Sequence, residues 1–373
     1  MTDFDTKKLN KNWTIEDSIS TYGIDKWGEK YFSINSDGNI SISPNRKSKK
    51  KVDLFKLVKE IKSREINTPL IIRFNDILKD RITELNNAFS QAIETYDYKN
   101  IYQGVFPIKC NQQKNVLEKI IEYGDPWNFG LEVGSKSELL IGLSILENQK
   151  SLLICNGYKD KKYIESAILA RKLGKQPIIV IEQRDEVKRI IEAVKNLKAT
   201  PILGIRSKLS CKSSGRWGKS VGDNSKFGLS IPEIMQTIKE LKEANLINEM
   251  KLLHFHVGSQ ISDISVIKDA LQEASQIFVE LSKLGAPMKY IDVGGGLGID
   301  FDGTKTSSNT STNYSLQNYA NDVIATVKDS CEVNNIQHPI IISESGRAII
   351  SHCSVLIFNV LGTSHVSSQV KVS

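Results

Sequence analysis

Between residues 69 and 362 the chain alternates short runs of β-branched and apolar residues with longer stretches that place apolar residues every three or four positions. That rhythm is the signature of a parallel sheet whose strands are joined by helices. The strand candidates are Tyr102–Ile108, Gly130–Val133, Leu152–Cys155, Ile178–Ile181, Ile202–Ile205, Leu252–Val257, Tyr290–Val293 and Ile340–Ser343, eight in all. Helical periodicity fills the gaps over Val116–Tyr123, Ser137–Leu146, Tyr163–Leu173, Val187–Val194, Ile231–Glu243, Ile267–Leu284 and Leu316–Val333. Eight such units fit a (β/α)8 TIM-type barrel over 69–362 better than an open sheet, with a doubly wound fold as the alternative. Residues 1–68 then form an N-terminal β-containing segment, and 363–373 a polar tail.

Composition narrows the function classes. The 373 residues are 40% hydrophobic and contain no apolar run long enough to span a bilayer, and the polar start Met1 to Lys8 lacks the apolar stretch of a signal peptide. The five cysteines, Cys110, Cys155, Cys211, Cys331 and Cys353, are scattered and form no C-x-x-C pair, so a disulfide framework or zinc knuckle is not expected and a reducing cytoplasm fits. The net charge of +7 falls to +2 without Arg46, Lys47, Lys49, Lys50 and Lys51, one short basic run with no interleaved aromatics. Neither a nucleic-acid nor a membrane partner is expected.

A barrel holds its chemistry where its strands end. There the sequence places Lys109, then Glu132 to Ser135, Asn156 to Lys159, Arg206, His254 with His256, Gly258 and Ser259, Gly294-Gly295-Gly296-Leu297-Gly298, and Glu344-Ser345-Gly346-Arg347. Taken alone, Lys109 reads most simply as a snorkelling lysine; in this company, an amine at the end of a buried strand is expected to have a depressed pKa and to be available for Schiff-base chemistry. The glycine triplet allows backbone N–H groups to approach a phosphate. It is not a dinucleotide fingerprint, because Ile299 stands where the third glycine should be, and Gly215 to Ser220 is not a P-loop, because Ser213 stands where that motif opens on glycine. His254 and His256, two apart on one strand, face the same way; hydrogen-bonded core histidines are commoner than a metal pair, and His338 and His352 lie outside the strand ends. Glu344 and Arg347 read as a surface ion pair in isolation. At a barrel mouth they can divide their work between a ring nitrogen and a phosphate. Lysine, glycines, arginine, histidine and glutamate together describe a site for pyridoxal 5′-phosphate, without saying which substrate bond is broken.

Seven segments carry a family resemblance: Pro107 to Gln112, Gly130 to Lys136, Cys155 to Asp160, Ser225 to Leu229, His254 to Gln260, Asp292 to Gly298, and Ser343 to Arg347. Their sequence resembles the fold-type III pyridoxal-phosphate decarboxylases, and Trp13 to Ser18, Tyr22 to Ile24 and Trp27-Gly28 point to the biosynthetic arginine decarboxylase branch rather than the ornithine or diaminopimelate branches. The resemblance implies that Lys109 holds the cofactor and His256 stacks on its ring. It further implies that Ser259, Gly294, Gly295, Gly296 and Arg347 bind its phosphate, that Glu344 pairs with the pyridine nitrogen, and that Arg206 lies near the ring. Ile291, Asp292, Val293, Gly294, Gly295, Gly296, Leu297, Gly298, Ile299, Asp300 and Phe301 match the segment associated with substrate. The implied reaction takes L-arginine to agmatine and carbon dioxide in polyamine biosynthesis. Magnesium is associated with the family, and no residue here is identified as its ligand. Family members form homo-oligomers with shared active sites and continue into a C-terminal β domain that is absent here. A truncated chain is therefore expected to have little activity and to leave Tyr31 to Ile34 and Ile40 to Ile42 without sheet partners, and its assembly is in doubt. The alternatives are an inactive cofactor-binding fragment or a related diaminopimelate or ornithine decarboxylase; a metal hydrolase built on His254 and His256 is remote.

Overall fold

The computed structural model describes residues 12–47, 50–210 and 226–364. Lys49, Cys211, Ser213, residues 215–220 and Ser225 lie outside the described residues, as do 1–11 and 365–373. The chain divides into two compact units: Leu78–Ser351, and the described parts of Met1–Ile77 together with His352–Ser373.

The smaller unit opens with helix Ile15–Tyr22, whose first turn is closed by a reciprocal bond between Thr14 and Asp17. Three short strands follow, β1 (Phe32–Ile34), β2 (Ile40–Ile42) and β3 (Val52–Asp53), paired antiparallel in that order. Tyr31 to Ile34 and Ile40 to Ile42 were the residues expected to lack partners; Phe32 pairs with Ile42 and Ile34 with Ile40, and Tyr31 and Ile42 are fully buried. Strand β4 (Leu70–Arg73) completes this part of the chain.

The larger unit carries β5 (Val105–Pro107), β6 (Gly130–Val133), β7 (Leu152–Cys155), β8 (Gln176–Ile181), β9 (Leu203–Arg206), β10 (Met250–His254), β11 (Tyr290–Asp292) and β12 (Ile340–Ile342). Every neighbouring pair is parallel and the sheet keeps chain order from β5 to β12. Closure follows from three bonds between its first and last members: Gln103 N to Ile341 O (2.9 Å), Val105 N to Ser343 O (3.1 Å) and Ile341 N to Ile101 O (3.0 Å). A doubly wound sheet would reverse its order at a switch point and keep two edges. The barrel reading therefore holds and its alternative does not.

Inside the barrel, Val105, Ile154, Val180, Leu252 and Ile342 form one buried cluster; each such side chain contributes about 1.5–3 kcal/mol on leaving water. The outer helices turn one face inward, as helix Ile264–Lys283 does with Ile267, Ala270, Leu271, Ala274 and Phe278.

The differences from expectation are local. The first barrel strand is Val105–Pro107, because Ile108–Cys110 winds into a 3-10 turn that carries Lys109. The sixth ends at His254, so His256 is not on the same strand as His254. Helix Asn75–Thr95 was not expected. Residues 69–362 were expected to form the barrel, but β4 pairs antiparallel with β13 (Ser354–Ile357), and both strands belong to the smaller unit. No helix among the described residues is long and apolar enough to cross a membrane.

Candidate active site

Each barrel strand, or the turn after it, delivers one polar side chain to the mouth: Lys109, Glu132, Asn156, Glu182, Arg206, His254, Asp292 and Glu344. Most of the groups lie against one another in pairs. Lys109 Nζ lies 2.8 Å from Glu132 Oε2; the lysine side chain is 57% exposed and the glutamate fully buried. Asn156 Nδ2 donates to Glu132 Oε1 (3.1 Å) and to Glu344 Oε1 (2.6 Å). His254 Nδ1 is 3.0 Å from Asp292 Oδ2 and 3.8 Å from Glu344 Oε1, while Asp292 Oδ1 accepts from Gly294 N at 2.9 Å. On the other side of the mouth Arg206 Nη1 donates to Glu182 Oε1 (2.9 Å).

Crowding of buried carboxylates sets the electrostatics. Burial, reinforced by the nearby Glu344 charge and opposed by Lys109, pushes Glu132 up to about 7. Burial likewise lifts Asp292 to about 7, against the bond from Gly294 N. Glu344 is raised by burial and then by Asp292. The Lys109 ammonium was expected to be destabilised, and burial does pull it down; the Glu344 and Glu132 carboxylates outweigh burial, and its pKa is raised instead. His256 is held well below its ordinary value by burial and then by the Arg206 charge, so its imidazole is neutral and Nδ1 accepts from Gly295 N at 3.3 Å.

The glycine-rich turn follows β11. Gly294 and Gly296 have φ of +68° and +106°, and a Cβ would lie 2.3 Å from Phe255 O at the first and 2.8 Å from Gly258 O at the second. Only glycine lets this turn press against the β10 loop. Arg347, which is exposed, donates through Nη2 to Ser259 Oγ (3.0 Å) and through Nη1 to Gln260 Oε1 (3.3 Å). Gln260 also grips the turn, since its Oε1 accepts from Ile299 N at 3.0 Å. Within 291–301, Asp292 points to His254, Val293, Leu297 and Ile299 are buried, Asp300 accepts from Ser311 Oγ, and Phe301 is exposed.

Glu182 and Glu186 belong to none of the motifs visible in the sequence. Glu182 follows the apolar run Ile178–Ile181 directly, a polar residue at a strand end like the others, and that signal was available. Glu186 is on the following helix and becomes visible only through its partner: it lies 3.3 Å from Lys159 Nζ, and both side chains are fully buried. Lys159 is thus committed to an ion pair, whereas the partly exposed Lys109 can reach a ligand.

Pyridoxal 5′-phosphate is tested by what the residues leave unpaired. Asn156 Oδ1 is buried without a hydrogen-bond partner among the described residues, the glycine turn brings backbone to the mouth without side chains, and Arg347 presents cationic donors beside it. This donor set fits an aromatic phosphate ester. The metal reading fares differently. His254 groups with Asp292 and Glu344, one atom of each within 4.8 Å of the others, and His256 is not part of that group. The two-histidine centre is therefore not what forms. A magnesium ion wants a largely oxygen, partly hydrated octahedral shell, which this wholly buried trio with an imidazole does not fit.

Residues 80–351 match the family of the pyridoxal-dependent decarboxylase, pyridoxal binding domain. Over its whole length the chain is 95% identical to the biosynthetic arginine decarboxylase of Prochlorococcus marinus subsp. pastoris and 91% identical to that of Prochlorococcus marinus strain MIT 9515, and it spans 58% of the length of each. The crystal structure of the biosynthetic arginine decarboxylase of Campylobacter jejuni superposes with a TM-score of 0.80 at 34% identity, over 90% of this chain and 53% of that one. On the match over 80–351 and the closed barrel that carries it, the chain belongs to the pyridoxal-dependent decarboxylases.

Proposed function

We propose that this chain carries the cofactor-binding half of an arginine decarboxylase, which takes L-arginine to agmatine and carbon dioxide in the route to polyamines. The observation that carries the reading is the position of Lys109, reachable from solvent and bracketed by Glu132 and Glu344 at the mouth of a closed barrel. Arginine as substrate rests on the names of relatives identical at 95% and 91% of positions.

When bound, pyridoxal 5′-phosphate supplies an electron sink for the pair freed at the substrate Cα. Lys109 supplies the amine for its attachment, and Glu132 holds the ammonium whenever that amine is free. Glu344, backed by Asn156 and His254, would keep a proton on the ring nitrogen. His256 stays neutral beside Arg206 and offers a flat face for the ring. Ser259, Arg347 and the turn Gly294-Gly295-Gly296 would hold the phosphate, with Arg347 already oriented by Ser259 and Gln260. The segment Ile291–Phe301 would border the substrate.

The test is a visible absorption spectrum of the purified chain with pyridoxal 5′-phosphate, followed by separate additions of L-arginine, L-ornithine and diaminopimelate. A bound-cofactor band that responds to arginine is expected. A band that responds instead to ornithine or diaminopimelate would overturn the substrate, and the absence of any band would overturn the site.

A further inference from the structure

Asn156 is held more firmly than a loop asparagine needs to be. Its backbone N donates to Val133 O (2.9 Å), its backbone O accepts from Tyr163 Oη (3.2 Å), and the same hydroxyl bonds Val133 O (2.8 Å). The next residue, Gly157, has φ +73°, and a Cβ there would lie 2.1 Å from Gly134 O, so the loop after β7 is pressed against the loop after β6. These constraints aim one side chain, 5% exposed, between two carboxylates. Nδ2 donates to Glu132 Oε1 at 3.1 Å and to Glu344 Oε1 at 2.6 Å. Turning the amide over would set Oδ1 against two carboxylate oxygens, so the orientation is determined by the partners. Glu132 in turn holds Lys109 through its other oxygen. A continuous path therefore runs from Lys109 through Glu132 and Asn156 to Glu344.

We propose that Asn156 is a positioning residue that bridges Glu132 and Glu344, holding the carboxylate beside the attachment lysine and the carboxylate facing the ring nitrogen at one fixed separation. It rests on the cofactor reading given above. Without the bridge, two buried carboxylates face each other with no donor between them, and one of them keeps its proton to higher pH. Burial already raises both, helped by the Glu344 charge at Glu132 and by the Asp292 charge at Glu344. Near neutral pH Lys109 would then have less negative charge beside it, where Glu132, Glu344, Asp292, Cys110 and His256 face it.

The test follows acetylation of Lys109 by acetic anhydride against pH, read by peptide mass spectrometry on the cofactor-free chain, with the exposed Lys161 as internal reference. In Asn156→Ala, Lys109 is labelled about tenfold faster at about pH 8, where a carboxyl that keeps its proton no longer holds the ammonium. In the isosteric Asn156→Asp variant a third acid joins the pair and labelling at that pH slows. In both, cofactor binding by absorbance titration weakens about tenfold, as for a lost bond to a charged group. Unchanged labelling rates at that pH in folded Ala and Asp variants would overturn the proposal; if the alanine variant does not fold, the aspartate variant decides alone. A wild-type chain with no cofactor band would sink the cofactor reading separately, because the Lys109 titration needs no cofactor.

Discussion

Lys109, Glu132, Asn156 and Glu344 occupy one side of the barrel mouth, and Arg347, Ser259 and Gln260 another, and the two sides are built on different principles. On the first, three of the four groups are buried and each is bonded to the next. On the second, the arginine and serine are exposed and the glycine turn contributes backbone. Buried charges in contact set one another's protonation, so changing one of them alters the chemistry. Exposed donors contribute affinity and orientation, and water can partly replace them.

The largest effect is expected from Lys109→Ala, which removes the proposed attachment point and is expected to abolish the visible cofactor band; a band of undiminished strength would show that another lysine serves. Next comes Glu344→Gln, which keeps the shape and removes the charge proposed to face the ring nitrogen. The change that L-arginine produces in the bound-cofactor band should be largely lost, with cofactor affinity much less affected, and a variant that loses both equally would mean that Glu344 only supports the fold. On the exposed side Arg347→Ala should raise the cofactor dissociation constant by about tenfold and leave the Lys109 titration where it was. A shift in that titration would dissolve the distinction between the two sides.

The smallest effect is on stability. Glu132 and Asp292 both hold their protons up to about 7, well above the ordinary carboxyl range. The folded chain binds these protons more tightly than the unfolded chain does, so this stabilisation is complete at low pH and is lost as pH rises through about 7. Melting of the cofactor-free chain should therefore move up by a few degrees between about pH 7.5 and about pH 5.5. The slope should be shallower in Glu132→Gln, and equal slopes would show that Glu132 is ionised throughout.

The barrel was legible because its strands are buried on both faces and read as unbroken apolar runs; Gly130–Val133 and Leu152–Cys155 have the bounds read from the sequence. Strand ends were less so. Ile108 is as apolar as its neighbours, and nothing local announces that the chain turns there and lifts Lys109 out of the strand. Likewise His254 and His256 have strand spacing, but the strand ends between them. The strand-end rule brought Lys109, His256, Glu344 and Arg347 to one mouth, but the partners of those residues depend on contacts between distant strands. Glu132 and Asn156 are 24 residues apart, Asn156 and Glu344 188, separations that periodicity does not address. The raised rather than depressed Lys109 pKa follows from the same contacts, because two carboxylates outweigh the burial that the sequence suggested.

The role of Lys109 is checked by loading the chain with pyridoxal 5′-phosphate, reducing it with borohydride and mapping the modified peptide by mass spectrometry. A single pyridoxyl group is expected on Lys109 and none on Lys159, which is paired with Glu186. Modification at Lys159 or scattered over surface lysines, with Lys109 unmodified, would contradict it.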